Sequence, residues 1–189
     1  MRSLQNLMSQ AAGDPFTADD VLEYHAARLL MLIQLCGTMD RARHLPKIEG
    51  LTKFAKLDFF VRYPSFFQKA AASIGVTVSP VTTTVESRMV RHHYGPWDKR
   101  YYQIFAYLEA RGLITVEKVG TQYQFTLTET GRKTVEQLLT HRDFDALAEH
   151  MKQVKGVLGN KNGNALKTLI YQVFEREIAM QPLGEVIQP

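Results

Sequence analysis

Residues Trp97 to Leu139 read WDKRYYQIFAYLEARGLITVEKVGTQYQFTLTETGRKTVEQLL. The first part of this run places apolar side chains at helical spacing: Tyr101, Ile104, Phe105 and Leu108. Gly112 follows at a position where helices often end in a left-handed residue. Two alternating runs, 113–119 and 122–127, flank the dipeptide Gly120-Thr121, which is typical of a hairpin turn. The run therefore predicts a helix followed by a β-hairpin.

A further helix is predicted after this hairpin. Thr128 can cap its first turn, and Val135, Leu138 and Leu139 provide an apolar face. Helix, hairpin and helix in this order are typical of a winged helix-turn-helix, in which the helix before the hairpin is the recognition-type helix. We therefore predict an α+β, mostly α fold of this kind. Such domains bind duplex DNA or serve as assembly modules in larger complexes.

The composition predicts a cytoplasmic protein with a packed core. Hydrophobic residues make up 45% and charged residues 22% of the 189-residue chain, which is ordinary for a globular protein. The single cysteine, Cys36, excludes an internal disulfide and a cysteine-based zinc site, so a reducing compartment is expected. The longest apolar run, Leu29–Ile33, is far too short to span a bilayer, and we expect no membrane partner.

Positive charge is concentrated in the middle of the chain. Residues 38–104 contain 11 lysines and arginines against 5 acidic residues, whereas the rest of the chain is slightly acidic. This segment would form the front of the helix-turn-helix, and its charge favours contact with a polyanion. A solvated basic surface without such a contact is the alternative.

The N-terminal half divides into a leader and three predicted helices. Residues 1–16 form the leader, and Thr17 caps a helix that ends at Cys36. After a basic connector, a second helix is predicted over Leu45–Tyr63. Pro64 begins the third helix, because the residue before a proline avoids the helical conformation.

A long insertion, residues 75–96, precedes the recognition-type helix. Within it, Val76–Glu86 is either a strand pair or a poorly ordered loop, and Ser87–Tyr94 is predicted as a strand. A minimal helix-turn-helix has only a tight turn at this point. The winged-helix domain with its insertion therefore covers residues 17–140.

Two amphipathic helices are predicted after the wing, as a helical hairpin over residues 141–180. The first has apolar residues spaced three and four apart: Phe144, Leu147, Met151, Val154 and Leu158. The second covers Ala165–Ile178. This hairpin either packs on its own winged helix or meets another subunit, and residues 181–189 form a tail.

The sequence lacks the usual motifs of catalysis. The six histidines form no His-x-x-x-His pair, and the chain has neither a glycine-rich phosphate loop nor a Gly-x-Ser-x-Gly motif. We therefore expect no catalytic residues, no metal site and no cofactor, and a role other than that of an enzyme.

Two segments go beyond a generic winged helix. Ile48–Phe67 reads IEGLTKFAKLDFFVRYPSFF, and Glu86–Ile114 reads ESRMVRHHYGPWDKRYYQIFAYLEARGLI. Through the runs Lys-Leu-Asp-Phe-Phe-x-Arg-Tyr-Pro and Tyr-Gly-Pro-Trp-Asp, they resemble the middle-component subunits of ABC three-component systems. The best-known branch of that family is the Lamassu-type anti-phage systems. A later helix with Leu166, Lys167, Ile170 and Tyr171 is similar as well.

The resemblance implies a non-catalytic accessory subunit. Such a subunit would bridge an SMC/Rad50-like ATPase and an effector, often a nuclease, in a bacterial anti-phage or anti-plasmid defence complex. Candidate residues for the partner interface are Phe59, Phe60, Arg62, Tyr63, Trp97, Phe144, Met151 and Tyr171. For Arg62 and Trp97 a structural role is the alternative, because Asp58 stands four residues before Arg62 and Trp97 belongs to a Gly-Pro corner.

Six residues are candidates for contact with DNA: Arg88, Arg91, Lys99, Arg100, Gln103 and Lys118. Lys99, Arg100 and Gln103 lie off the apolar stripe of the recognition-type helix, and Lys118 flanks the wing tip. Few of these side chains read bases, so we expect weak, salt-dependent binding of duplex DNA without sequence preference. An acidic protein surface is the alternative partner for these charges.

A second hypothesis for function is a homodimeric winged-helix transcription regulator that binds its own operator. A regulator normally leaves its recognition helix unobstructed. The insertion over residues 75–96 therefore favours the accessory subunit.

Overall fold

The computed structural model describes residues 21–79 and 88–188, over which the chain is α+β and mostly helical, as predicted. Its helices are α1 (Leu22–Cys36), α2 (Leu51–Arg62), α3 (Pro64–Ser73), α4 (Tyr101–Ala110), α5 (Glu129–Leu138), α6 (Asp145–Leu158) and α7 (Gly163–Val173). Its strands are β1 (Thr38–Asp40), β2 (Leu45–Glu49), β3 (Val90–His92), β4 (Gly95–Trp97), β5 (Ile114–Val119) and β6 (Gln122–Leu127). The predicted leader, the Thr17 cap and residues 80–87 of the predicted insertion lie outside the described residues.

A four-stranded antiparallel sheet in the order β1-β2-β6-β5 links the first third of the chain to the β5–β6 hairpin. Strands β5 and β6 form the predicted hairpin, in which Val119 lies opposite Gln122 and Gly120 has a φ of 61°. Strand β6 also pairs with β2, where Ile48 lies opposite Phe125. Both of these side chains are buried, so the sheet covers one side of the core.

The predicted helix over Leu45–Tyr63 is wrong in its first part, because Leu45–Glu49 forms strand β2. The basic connector before it is a turn, in which the Asp40 carboxylate accepts hydrogen bonds from the backbone N–H groups of Ala42 and Arg43 at 2.9 and 3.0 Å. Strand β2 then alternates between half-buried and buried residues, as expected for a strand with one covered face. Pairing with the distant β6 stabilises it in place of a helical turn.

Several other helix boundaries lie where the sequence predicts them. Gly112 has a φ of 67° directly after α4. The Thr128 hydroxyl accepts a hydrogen bond from the backbone N–H of Gly131 at 3.0 Å and so caps α5. Tyr63 separates α2 from α3, and Pro64 stands in the first turn of α3. These observations confirm the predicted boundaries. Each boundary could be predicted because its signal depends on residues close together in the chain.

The insertion contains a small β3–β4 hairpin, with Val90 opposite Trp97, in place of the longer strand predicted over Ser87–Tyr94. The C-terminal tail docks beside it. The backbone N–H of Ile187 donates to the carbonyl of Met89 at 2.9 Å, and the Ile187 side chain is buried. The tail is therefore part of the folded unit.

The two C-terminal helices pack on the earlier helices of the same chain. Helix α6 contacts α1 and α2, and helix α7 contacts α2 and α3. Their apolar faces join the common core through Met151, Val154, Leu158, Leu166, Ile170 and Phe174. The predicted boundary at residue 140 therefore does not separate two cores. These faces also do not supply exposed apolar surface for another subunit.

Candidate nucleic-acid and partner interface

Helix α4 has one buried and one exposed face, as its spacing predicts. The buried face consists of Tyr101, Ile104, Phe105 and Leu108. On the other side Tyr102, Gln103 and Ala106 are exposed. The helix itself contains no lysine or arginine. Any phosphate contact at this surface therefore depends on cations from neighbouring segments.

Four of the six predicted DNA-contact residues are exposed: Arg88, Lys99, Gln103 and Lys118. Lys99 lies just before α4, and Lys118 lies on β5 opposite Tyr123, close to the turn of the β5–β6 hairpin. Arg88 precedes β3. All four side chains are accessible to a nucleic-acid backbone. They come from separate parts of the chain, and only Gln103 lies on α4 itself.

Arg91 and Arg100 are instead engaged within the fold. Arg91 donates from Nε to the carbonyl of Ile178 at 3.0 Å and from Nη2 to that of Ala179 at 3.1 Å. Arg100 donates from Nη2 and Nε to the two carboxylate oxygens of Asp98 at 2.9 and 3.0 Å. The prediction that they contact DNA is corrected accordingly, because these N–H groups already have acceptors inside the chain.

A buried network of charges joins α1, α2 and the start of α4. Asp58 accepts a hydrogen bond from Arg28 Nε at 2.9 Å and another from the Tyr101 hydroxyl at 2.7 Å. Arg62 Nη1 lies 3.6 Å from Asp58 Oδ2 and 2.7 Å from Asp98 Oδ2. Arg62 therefore pairs with Asp58 along its own helix, which is the structural alternative that the sequence allowed, and also reaches a second carboxylate.

The local electrostatics favour the charged forms of Asp98 and Arg62 in this network. Burial alone would raise the pKa of Asp98, but hydrogen bonds and charge from Arg100 and Arg62 outweigh it and hold the pKa below its usual range. Burial would likewise lower the pKa of Arg62, yet Asp58, Tyr101 and Asp98 raise it. Burial, reinforced by Asp58, raises the pKa of the Tyr101 hydroxyl. Carboxylates held by guanidiniums in this way join helices and do not act as proton carriers.

Lys56 is a buried lysine with 1% of its surface exposed. Its Nζ donates a hydrogen bond to the carbonyl of Pro96 at 3.0 Å. Burial lowers the pKa of Lys56 to about 7, and repulsion from Lys167 adds to the effect. Gly95 packs directly on this side chain, because a Cβ there would lie 3.5 Å from Lys56 Nζ. Lys56 therefore fastens α2 to β4.

Five of the eight predicted partner-contact residues lie in the core: Phe59, Phe60, Arg62, Tyr63 and Met151. The structure corrects this assignment, because buried side chains do not reach another protein in this fold. The other three, Trp97, Phe144 and Tyr171, are partly exposed. The Trp97 ring stands edge-on to Tyr101 at 5.2 Å between centroids, which is the structural corner that the sequence also allowed.

A polar cleft of about 660 Å³ lies between the β5–β6 hairpin and α7. Its volume is within the range of small-molecule sites. Residues of five segments line it, among them Lys53, Tyr94, Gln122, Tyr123, Asn162 and Lys167. Sequence reasoning missed this cleft because its walls are far apart in the chain.

Arg28 and Lys56 were also missed, although the sequence contains a signal for both. Arg28 directly precedes the apolar run Leu29–Ile33. Lys56 directly precedes Leu57–Val61, which is apolar except for Asp58. A charged side chain in such a run must find a partner when it is buried. The partners, Asp58 and the carbonyl of Pro96, are set by tertiary packing.

The described residues contain no group of three or more His, Cys, Asp or Glu side chains arranged to hold a metal ion. Among the same residues, none of the helices combines the length and the apolar character that crossing a lipid bilayer requires. Cys36 is buried, and this burial raises the pKa of its thiol to about 12. A thiol in this state is a weak nucleophile.

Comparison with known proteins adds no relative. No protein-family model matches this sequence, and no curated protein matches it significantly. The class to which the chain belongs is therefore defined by its own structure, which is α+β and mostly helical with a small antiparallel sheet.

Proposed function

We propose that this chain is a non-catalytic winged-helix accessory subunit of a bacterial anti-phage or anti-plasmid defence complex. In this role it bridges an SMC/Rad50-like ATPase and an effector, often a nuclease. The resemblance of Ile48–Phe67 and Glu86–Ile114 to the middle components of ABC three-component systems is the starting point. The packing of these two segments is the observation that carries the proposal.

The two segments meet through polar contacts of the residues that define the resemblance. Arg62 is paired with Asp98 at 2.7 Å. Lys56 donates to the carbonyl of Pro96, and the Tyr63 hydroxyl accepts a hydrogen bond from the backbone N–H of Met89 at 2.7 Å. The residues that carry the resemblance thus hold two segments of the chain together. This fits a family whose shared residues maintain the fold. Such a framework supports a subunit that works through contacts.

The order of elements supports the winged-helix part of the proposal. Helix α1, strand β2, helices α2 and α4, and strands β5 and β6 follow in sequence, with α3 and the β3–β4 hairpin inserted before α4. In the sheet, β6 lies between β2 and β5, as it would when a wing folds back on a strand from earlier in the chain. Helix α4 is then the recognition-type helix, and its exposed face is available to a partner.

The proposal is tested by expressing the tagged chain together with its neighbouring genes. The affinity-purified material is separated by size-exclusion chromatography with light scattering and identified by mass spectrometry. We expect a stable heteromer that contains a large coiled-coil ATPase with a phosphate loop. Purification of a homodimer alone, with nanomolar preference for one palindromic operator, would instead establish the transcription regulator.

Two matched variants locate the contact. Ala106→Arg places a long charged side chain on the exposed face of α4, and Ala146→Arg does the same on the exposed side of α6. We expect the first variant to weaken the heteromer and the second to leave it intact. Equal behaviour of the two variants would place the contact away from α4.

A further inference from the structure

A row of aromatic rings leads from the exposed face of α4 to the polar cleft. It comprises Tyr102, Trp97, His92, His93 and Tyr94, and we call it the aromatic strip. Its ring centroids are separated by 6.1 Å from Tyr102 to Trp97, by 5.5 Å from Trp97 to His92 and by 5.2 Å from His92 to His93. Tyr94 follows next in the chain and lines the cleft.

The ends of the aromatic strip are open to solvent, whereas its middle is anchored. Tyr102 is 67% and Tyr94 59% exposed, and both histidines are exposed. Trp97 is half-buried against Tyr101, which fixes its plane. The hydroxyl of Tyr171 donates to the carbonyl of His93 at 3.1 Å and holds the turn of the hairpin. The rings are therefore presented on a supported surface.

Cations accompany the aromatic strip at both ends. Lys99 is exposed three residues before Tyr102. The Lys167 ammonium lies 5.4 Å from the ring centroid of Tyr94, at the edge of the cleft. Of the acids nearby, Asp98 is buried and already bound to Arg62 and Arg100, and Glu49, which lines the cleft, is paired with Lys47. The combination of rings and cations thus presents an aromatic and positively charged track.

We propose that the aromatic strip binds single-stranded nucleic acid, independently of the accessory-subunit role. Bases stack on the open rings of Tyr102, His92 and Tyr94, and backbone phosphates meet Lys99 and Lys167. Stacking on aromatic rings beside cations is the common mode of single-strand binding. A duplex cannot use these rings in the same way, since its base faces are already stacked on one another.

An acidic peptide is the competing occupant. Its carboxylates would form ion pairs with Lys99 and Lys167, but they would make no favourable contact with the ring faces of Tyr102 and Tyr94. The aromatic rings therefore decide between the two ligands. The test accordingly depends on substitutions that remove or keep a ring without changing charge.

Binding is measured with the full chain at low salt. The probes are fluorescein-labelled oligothymidylate and oligouridylate of about 12 nucleotides, within the usual range of single-strand site sizes, and a fully paired duplex of equal length. Fluorescence anisotropy gives the affinities. Trp97 is the only tryptophan of the chain, so its intrinsic fluorescence reports directly on unlabelled strands that reach the aromatic strip.

We expect single strands to quench Trp97 and the duplex to leave its emission nearly unchanged. Tyr102→Ala and Tyr94→Ala should each weaken single-strand binding about tenfold, in line with the loss of one stacked base. Tyr102→Phe and Tyr94→Phe should bind as the parent chain does. Met180→Ala, which removes another exposed apolar side chain, is the control and should have no effect.

Three results would overturn the proposal. The first is that neither oligonucleotide changes the anisotropy. The second is that the alanine variants bind single strands as tightly as the parent chain, which would leave a phosphate contact only. The third is displacement of the oligonucleotide by polyglutamate with equal efficiency in the parent and the alanine variants, which would assign the track to an acidic protein.

Discussion

Arg62 bridges two buried carboxylates, one on its own helix and one before α4. The side chains of Arg62 and Asp58 have no exposed surface, and that of Asp98 is almost as fully enclosed. Removing one member of such a group leaves the others charged, buried and short of a partner. The role of Arg62 is therefore measured best by its effect on folding stability.

We expect Arg62→Met to lower the free energy of unfolding by about 3–5 kcal/mol, the cost of breaking a buried ion pair. Urea denaturation followed by circular dichroism measures the change. Arg132→Met is the matched control, because Arg132 also pairs with two acids, Glu129 and Glu136, but at the exposed surface of α5. It should change stability little. Similar losses for the two variants would contradict a structural role for the buried network.

Lys56 makes stability depend on pH. Its pKa in the folded chain is lowered to about 7 by burial, with repulsion from Lys167. An unfolded lysine keeps a pKa of about 10.4, so between these values the unfolded chain binds more protons than the folded chain. The free energy of unfolding contributed by Lys56 therefore rises as pH increases through this window, by at most about 1.4 kcal/mol per pH unit.

Comparison of the parent chain with Lys56→Met isolates this contribution. Urea denaturation between about pH 7.5 and 9.5, inside the window set by the two pKa values, should give curves that diverge with pH as the parent chain gains stability relative to the variant. Lys152→Met is the control, because Lys152 is exposed on α6, and its curve should run parallel to that of the parent. Parallel curves for Lys56→Met would mean that Lys56 stays charged in the fold.

Among the secondary-structure elements, α5 lies unusually close to the end of the α4–β5 connection. A Cβ built at Gly131 would lie 1.9 Å from the carbonyl oxygen of Leu113, which is too close for any side chain. Gly131 therefore permits the backbone of α5 to approach the residue before β5. Gly156, in α6, has open space around the equivalent position.

Glycine-to-alanine substitutions in these two helices should have opposite effects. Gly131→Ala should destabilise the chain by at least about 1–3 kcal/mol, the usual cost of overpacking. Gly156→Ala should stabilise it by about 0.5–1 kcal/mol, since alanine is favoured over glycine within a helix. Thermal and urea denaturation of both variants test this pair. If Gly131→Ala leaves the free energy of unfolding unchanged, α5 can move away from Leu113 without loss of stability.

For the whole molecule, we expect weak binding of duplex DNA that depends on the exposed cations. Replacing Arg88, Lys99 and Lys118 together by alanine should weaken binding equally for unrelated sequences. The slope of log K against log salt should flatten by about 0.9 for each phosphate that the variant no longer neutralises. In the control, alanine replaces Lys133, Arg142 and Lys152, which are also exposed but follow the β5–β6 hairpin in the chain.

Fluorescence anisotropy at a series of salt concentrations distinguishes these two triple variants. The control should keep the slope of the parent chain. A control that flattens the slope equally would mean that binding is spread over the surface. Strong preference of the parent chain for one sequence would contradict backbone-dominated binding.

The sequence by itself determined the elements whose signals are local. The apolar spacing of α4, the turn at Gly120, the Thr128 cap and the break at Pro64 all appear where they were predicted. Helical and strand periodicity, turn chemistry and capping depend on residues within a few positions of each other. They can therefore be inferred before any long-range contact is known.

Only the tertiary structure decided which residues face solvent and which are paired. Strand β2 exists because it pairs with β6, and Arg91 donates hydrogen bonds to the carbonyls of the distant residues Ile178 and Ala179. Likewise, the aromatic strip combines rings from the β3–β4 hairpin and α4. A buried charge must be paired and an apolar face must be covered, but which residue does so depends on how distant segments pack.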